Sequence, residues 1–140
     1  MTAIERRFGL AADAEVTTES NPESVTAADL SRLREAGFDR ISFGMQSAVP
    51  AVLATLDRVH SPGRPAEAVA EARAAGFDRV SLDLIYGTPG ETVADWETSL
   101  AAALASGPDH LSAYALVVEP GTRLAARVSR GELPMTWAGW

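Results

Sequence analysis

Cysteine is absent from all 140 residues, which excludes disulfides, thiolate-bound zinc and any iron–sulfur cluster held by this chain alone. Lysine is absent too: the 12 basic residues are all arginine, set against 19 acidic ones. A net charge of −7 with no clustered basic stripe argues against nucleic acid as a partner. No apolar run approaches the roughly 20 residues that span a bilayer, and Glu5, Arg6 and Arg7 stand where a signal peptide would need an apolar stretch. The expectation is a soluble, cytoplasmic protein. A hydrophobic content of 46% supplies the core of one globular domain.

What is present is a repeat. Ala36-Gly37-Phe38-Asp39-Arg40-Ile41-Ser42, Ala75-Gly76-Phe77-Asp78-Arg79-Val80-Ser81 and Ser106-Gly107-Pro108-Asp109-His110-Leu111-Ser112 share one order: a glycine that ends a helix, an aspartate in the turn, then a strand. Their spacings, 39 and 31 residues, are those of successive helix–strand units with parallel strands and right-handed crossovers. Helix starts are written between the joints. Thr26 with Asp29, and Thr92 with Asp95, predict capping boxes; Val25 and Leu30 predict a staple; Pro65 fits a first turn. In the helix after Thr92, Val93, Trp96, Leu100, Ala103 and Leu104 fall on one face, which marks Trp96 as core.

Alternation along the strands then sorts side chains. Ile41, Phe43 and Met45 oppose Ser42, Gly44 and Gln46; Leu82 and Leu84 oppose Ser81, Asp83 and Ile85. One apolar and one small, polar face suit a barrel strand packed on helices outside and lining a ligand-holding lumen inside. An earlier strand over 15–19 places Glu15, Thr17 and Glu19 together, and a last one over 111–118 brings Ser112 and Tyr114. Glu19, Gln46 and Asp83 therefore converge toward the carboxyl ends of their strands, where α/β barrels build sites. An isolated carboxylate in an apolar strand needs a partner, either a core donor or a ligand. Two acids and an amide suit a small ligand bearing ammonium, hydroxyl or amide groups, and Arg58, in the following loop, is the nearest cation for a ligand carboxylate.

Five ordered segments carry a resemblance: Thr18-Glu19-Ser20-Asn21-Pro22, Ser42-Phe43-Gly44-Met45-Gln46-Ser47, Leu56-Asp57-Arg58-Val59-His60, Leu82-Asp83-Leu84-Ile85-Tyr86-Gly87-Thr88-Pro89-Gly90 and Leu111-Ser112-Ala113-Tyr114-Ala115-Leu116. Over about residues 8 to 134 the chain resembles the oxygen-independent coproporphyrinogen III oxidase-like radical SAM proteins, nearest their heme chaperone, HemW-type branch. The resemblance implies a partial (β/α)6 TIM-like barrel holding about four of six parallel strands, within a domain over 1–134 followed by an unlike tail over 135–140. It implies S-adenosylmethionine contacts at Glu19, Gln46, Arg58 and Asp83, with the backbone near Val117 at the adenine. Within that set, Glu19 belongs near the methionine amino group, Gln46 and Asp83 at the ribose hydroxyls, and Arg58 at the carboxylate. Tyr86 and Tyr114 are expected in the lumen, and Gly87 and Gly90 in the shaping of a turn.

Members of this family bind a [4Fe-4S] cluster through a three-cysteine motif upstream of anything seen in this sequence. The chain is therefore read as a fragment, a truncated product or partial gene, with no catalytic or metal-binding residue of its own. The resemblance further implies heme or porphyrin, and a heme-acceptor protein, as partners. Two histidines are available: His60, beside Arg58, is the nearer to the site, and His110 lies at the opposite end of a strand. The other readings are a cluster-free module that binds S-adenosylmethionine or heme without redox chemistry, and a TIM-type metabolic enzyme whose acids perform proton transfer. An unpaired edge near Val16 predicts an oligomeric or aggregation-prone isolated chain.

Overall fold

The computed structural model describes residues 2–58, 61 and 63–134; His60 and the 135–140 segment lie outside the described residues. Among the described residues, six helices and four strands follow one another as α1 (Thr2–Phe8), β1 (Thr17–Ser20), α2 (Ala27–Glu35), β2 (Arg40–Gln46), α3 (Pro50–Thr55), α4 (Arg64–Ala74), β3 (Arg79–Tyr86), α5 (Val93–Ala105), β4 (His110–Ala115) and α6 (Arg123–Ser129), with a 3₁₀ turn at Pro22–Ser24. The strands form one parallel sheet in the order β1-β2-β3-β4. Strand order that never reverses leaves no switch point of the doubly wound kind and matches consecutive units of a TIM-like barrel.

Both capping boxes form, at Thr26 with Asp29 and at Thr92 with Asp95. The joints also close as their glycines predict: Gly37, Gly76 and Gly107 all take positive φ. Two of the three joint aspartates extend the sheet by a side-chain rung. Asp39 Oδ1 accepts the Val16 N–H at 2.9 Å, and Asp109 Oδ2 accepts the Val80 N–H at 2.7 Å. Asp78 instead pairs with Arg34 on α2.

The apolar face of the sheet is the core. Ile41, Phe43 and Met45 of β2 and Val80, Leu82 and Leu84 of β3 are buried with Leu30 of α2, Ala68, Val69 and Ala72 of α4 and Ala103 of α5. Trp96 packs on this cluster, as helical spacing predicts. Leu104 does not: it is 60% exposed, because the buried stripe of α5 runs through Ser99 and Ala103. Ser99 is satisfied there by Ser47 Oγ at 2.8 Å and by the Ala48 N–H at 3.1 Å.

Strand limits differ from the sequence reading at both sheet edges. β1 starts at Thr17, and Glu15 is drawn instead into ion pairs with Arg40 and Arg79. β4 ends at Ala115, and one further backbone bond, Leu116 N–H to the Tyr86 carbonyl, carries the pairing onward. Tyr86 shares the parity of Leu82 and Leu84, so its ring meets Trp96 of α5 at 5.5 Å between centroids rather than entering the lumen. Tyr114 has the parity of Asp83 but lies on the edge strand and is 60% exposed.

Candidate functional site

A cleft of about 280 Å³ opens at the carboxyl ends of β1, β2 and β3, lined by Glu19, Ser20, Asn21, Gly44, Gln46, Arg58 and Asp83. It brings together Glu19, Gln46, Arg58 and Asp83 of the predicted set. Val117 is not among its lining residues; it follows β4 and is 67% exposed.

Each side chain arrives by a different local device. Glu19 comes from β1 by simple alternation, its strand partner being Ser42. Asp83 is opposite Gly44, and the Ser42 hydroxyl donates to its Oδ2 at 2.8 Å, so the core-donor and ligand readings of this carboxylate are compatible: one oxygen is held while acceptor capacity remains. Gln46 gets there through a bulge. The register shifts between Gly44 and Gln46, Met45 stays in the core, and Gln46 adopts φ +63, a left-handed conformation that costs a non-glycine residue roughly 1–2 kcal/mol. The turn folds the Gln46 amide back over Gly44, where an added Cβ would lie 2.8 Å from Nε2. Arg58 follows Asp57, which takes φ +53 at the end of α3 while the Arg58 N–H bonds the Leu53 carbonyl at 2.9 Å. That is a Schellman cap with aspartate in place of glycine.

Three structural supports were not read from the sequence. The first is the loop after Glu19, where the Asn21 side chain accepts the Glu23 N–H at 2.9 Å; the Asn21-Pro22 pair was the available signal for such a turn. Second comes Arg64, whose guanidinium donates to the carbonyls of Pro22 and Val25 and forms a two-pronged pair with Glu71. The third is Glu91, fully buried after the Gly-Thr-Pro-Gly turn, with Oε2 accepting the N–H groups of Gly87 and Thr88. Burial raises the Glu91 carboxyl above the ordinary glutamate range, partly opposed by those two backbone bonds.

At the amino end of the sheet, Glu15, Arg40, Arg79, Asp109 and His110 border a second pocket, where Glu15 pairs with Arg40 and Arg79, and Asp109 with Arg73. His110 Nδ1 lies 3.2 Å from Ser81 Oγ there, away from the cleft. Among the described residues no group of three or more acids and histidines is arranged to hold a metal ion, and no helix is long and apolar enough to cross a membrane.

The chain as a whole is similar to three known proteins. Over 130 residues the chain is 61% identical to the heme chaperone HemW of Mycobacterium tuberculosis, covering 93% of this chain and 33% of that protein. It is 41% identical to the mitochondrial radical S-adenosyl methionine domain-containing protein 1 of Mus musculus, covering 96% of this chain and 30% of that protein. Among solved structures, coproporphyrinogen III oxidase (HemN) from Escherichia coli, a radical SAM enzyme, superposes with a TM-score of 0.81 at 30% identity, over 95% of this chain and 31% of that one. The chain thus spans about a third of the length of the relatives it matches. Residues 1–103 match the profile of the Radical SAM superfamily, and the chain belongs to that superfamily.

Proposed function

We propose that this chain supplies S-adenosylmethionine-binding strands to a radical SAM protein of heme metabolism, with heme transfer to an acceptor protein, in the cytoplasm, as the role of the whole. The observation that carries the binding part is the single cleft shared by Glu19, Gln46, Arg58 and Asp83. Its donor set fits that ligand chemically: carboxylates for an ammonium and for ribose hydroxyls, a carboxamide that both donates and accepts, and a guanidinium for a carboxylate. Glu19 is assigned to the amino group, Arg58 to the carboxylate, Gln46 and Asp83 to the ribose, and the backbone at Val117 to the adenine.

With a reducing cluster, bound S-adenosylmethionine supplies one-electron cleavage chemistry, and the protein contributes orientation and exclusion of water. The 140 residues contain no cysteine, so this chain offers no thiolate to a cluster. That favours, for the chain by itself, the second reading: binding of S-adenosylmethionine or heme without redox turnover. The 61% identity to a HemW supports the chaperone role over coproporphyrinogen oxidation.

Calorimetric titration of the chain with S-adenosylmethionine tests the assignment. Glu19→Ala and Asp83→Ala are each expected to weaken binding by about tenfold or more, the loss of one charge-assisted contact. Unaltered affinity in both overturns the site. A parallel hemin titration followed by Soret absorbance is expected to show saturable binding, and its absence counts against heme as this chain's cargo.

A further inference from the structure

We propose that Glu91 is a positioning residue for the backbone that carries Val117, acting through the Tyr86–Gly87 peptide. The proposal deepens the reading above and rests on it only where Val117 is taken to meet the adenine. Glu91 is 2% exposed, and its Oε2 accepts the Gly87 N–H at 2.6 Å and the Thr88 N–H at 3.0 Å. The carbonyl of the same peptide unit, that of Tyr86, accepts the Leu116 N–H at 2.8 Å.

A peptide plane is rigid, so what fixes its N–H also fixes its C=O. Glu91 therefore sets the direction in which Tyr86 presents its carbonyl, and that carbonyl holds Leu116 one residue past the end of β4. Val117 is next in the chain. The helix start does not explain a buried glutamate here, because Thr92 and Asp95 already form the capping box of α5. Glu91 Oε1 and Thr88 Oγ1 are both buried without a hydrogen-bond partner, so one oxygen alone holds both amides. Remove it, and two buried N–H groups must turn toward another acceptor, taking the Tyr86 carbonyl with them.

Amide hydrogen exchange reads this without any ligand. In Glu91→Ala, exchange at Leu116 is expected to quicken by about tenfold or more, the effect of losing one backbone hydrogen bond, while Asp109, whose N–H bonds the Val80 carbonyl at the far end of the same strand pair, stays unchanged. Glu91→Gln keeps a carbonyl acceptor and is expected to restore Leu116 protection. Unchanged exchange at Leu116, or equal acceleration at Leu116 and Asp109, overturns the proposal. Should the alanine variant fail to fold, Glu91→Asp, one methylene short of both amides, gives the same readouts. Binding then separates the two claims: adenosine affinity is expected to fall in Glu91→Ala while methionine affinity holds. If Leu116 responds and adenosine does not, Glu91 is confirmed as a positioning residue and the adenine assignment of Val117 is overturned.

Discussion

The Ser42 hydroxyl donates to Asp83 Oδ2 at 2.8 Å, diagonally across two neighbouring parallel strands and beneath the mouth of the cleft. Ser42 itself is buried, so this bond fixes one rotamer of the one acid in β3. Ser42→Ala is expected to cost about 1 kcal/mol in chemical denaturation and to weaken S-adenosylmethionine binding less than Asp83→Ala does. Equal losses of affinity in the two variants would mean that Asp83 serves the sheet rather than the ligand.

Gly44 and Gln46 form a second such couple. An added Cβ at Gly44 meets only the tip of a flexible side chain, Gln46 Nε2 at 2.8 Å. Gly44→Ala should therefore push the amide out of the cleft with little change in Tm, and lower affinity by about tenfold. Gln46→Gly has the opposite signature. Relief of the left-handed strain at φ +63 is expected to raise stability by up to about 1 kcal/mol while binding is lost. A stabilised variant with full affinity removes Gln46 from the site.

Arg64 joins α4 to the loop that continues from Glu19. Its guanidinium serves the Pro22 and Val25 carbonyls and the Glu71 carboxylate at once, and the bond to Glu71 first, then the nearby glutamate charges, raises its pKa against the effect of burial. Arg64→Met leaves half-buried acceptors without their donor and is expected to cost about 1–3 kcal/mol, whereas Arg64→Lys recovers only part, since an ammonium cannot reproduce the planar fork. Denaturant melts of the two variants rank these outcomes. A lysine variant as stable as the wild type would reduce Arg64 to a simple charge.

Periodicity placed Glu19 and Asp83 correctly because a regular strand alternates by geometry alone. It placed Gln46 on the right face for an incomplete reason, since a bulge and a left-handed turn deliver it, and neither leaves a mark in a two-residue period. Tyr86 was misplaced although parity put it with Leu82 and Leu84; the ring follows the strand and meets Trp96. Ser99 is absent from the apolar face that helical spacing draws on α5, yet it is central to the buried stripe, because its hydroxyl has partners in Ser47 and Ala48 of the loop after β2. Glu91 and Arg64 escaped for the same reason. A buried charge is legible only when its backbone partners are, and those are set by tertiary structure.

One joint aspartate, Asp109, makes part of the stability pH-dependent. Asp109 accepts the Val80 N–H at 2.7 Å and pairs with Arg73 at 2.6 Å, and the Val80 bond first, then Arg73, lowers its pKa below the ordinary aspartate range. A folded-state pKa below the unfolded one adds stability that is complete above the unfolded value, about 4, and is lost as pH falls through the folded one. Asp109→Asn is therefore expected to melt below the wild type near neutral pH, with the gap closing under about pH 4. A gap independent of pH would assign the effect to packing.

Among the described residues, each outer strand has a strand neighbour on one side alone. Order β1-β2-β3-β4 puts β1 and β4 at the edges, so the exposure foreseen near Val16 has a counterpart on the other side. β4 is the more consequential of the two. Tyr114 is 60% exposed there, Val117 and Val118 follow it on the surface, and neither lysine nor proline interrupts the strand. An unprotected, partly apolar edge templates pairing with another chain. Sedimentation of the isolated 140 residues is accordingly expected to show concentration-dependent association, and Tyr114→Lys to reduce it by placing charge on the edge. A monodisperse monomer with one sharp melting transition would show instead that four parallel strands and one helical layer are self-sufficient.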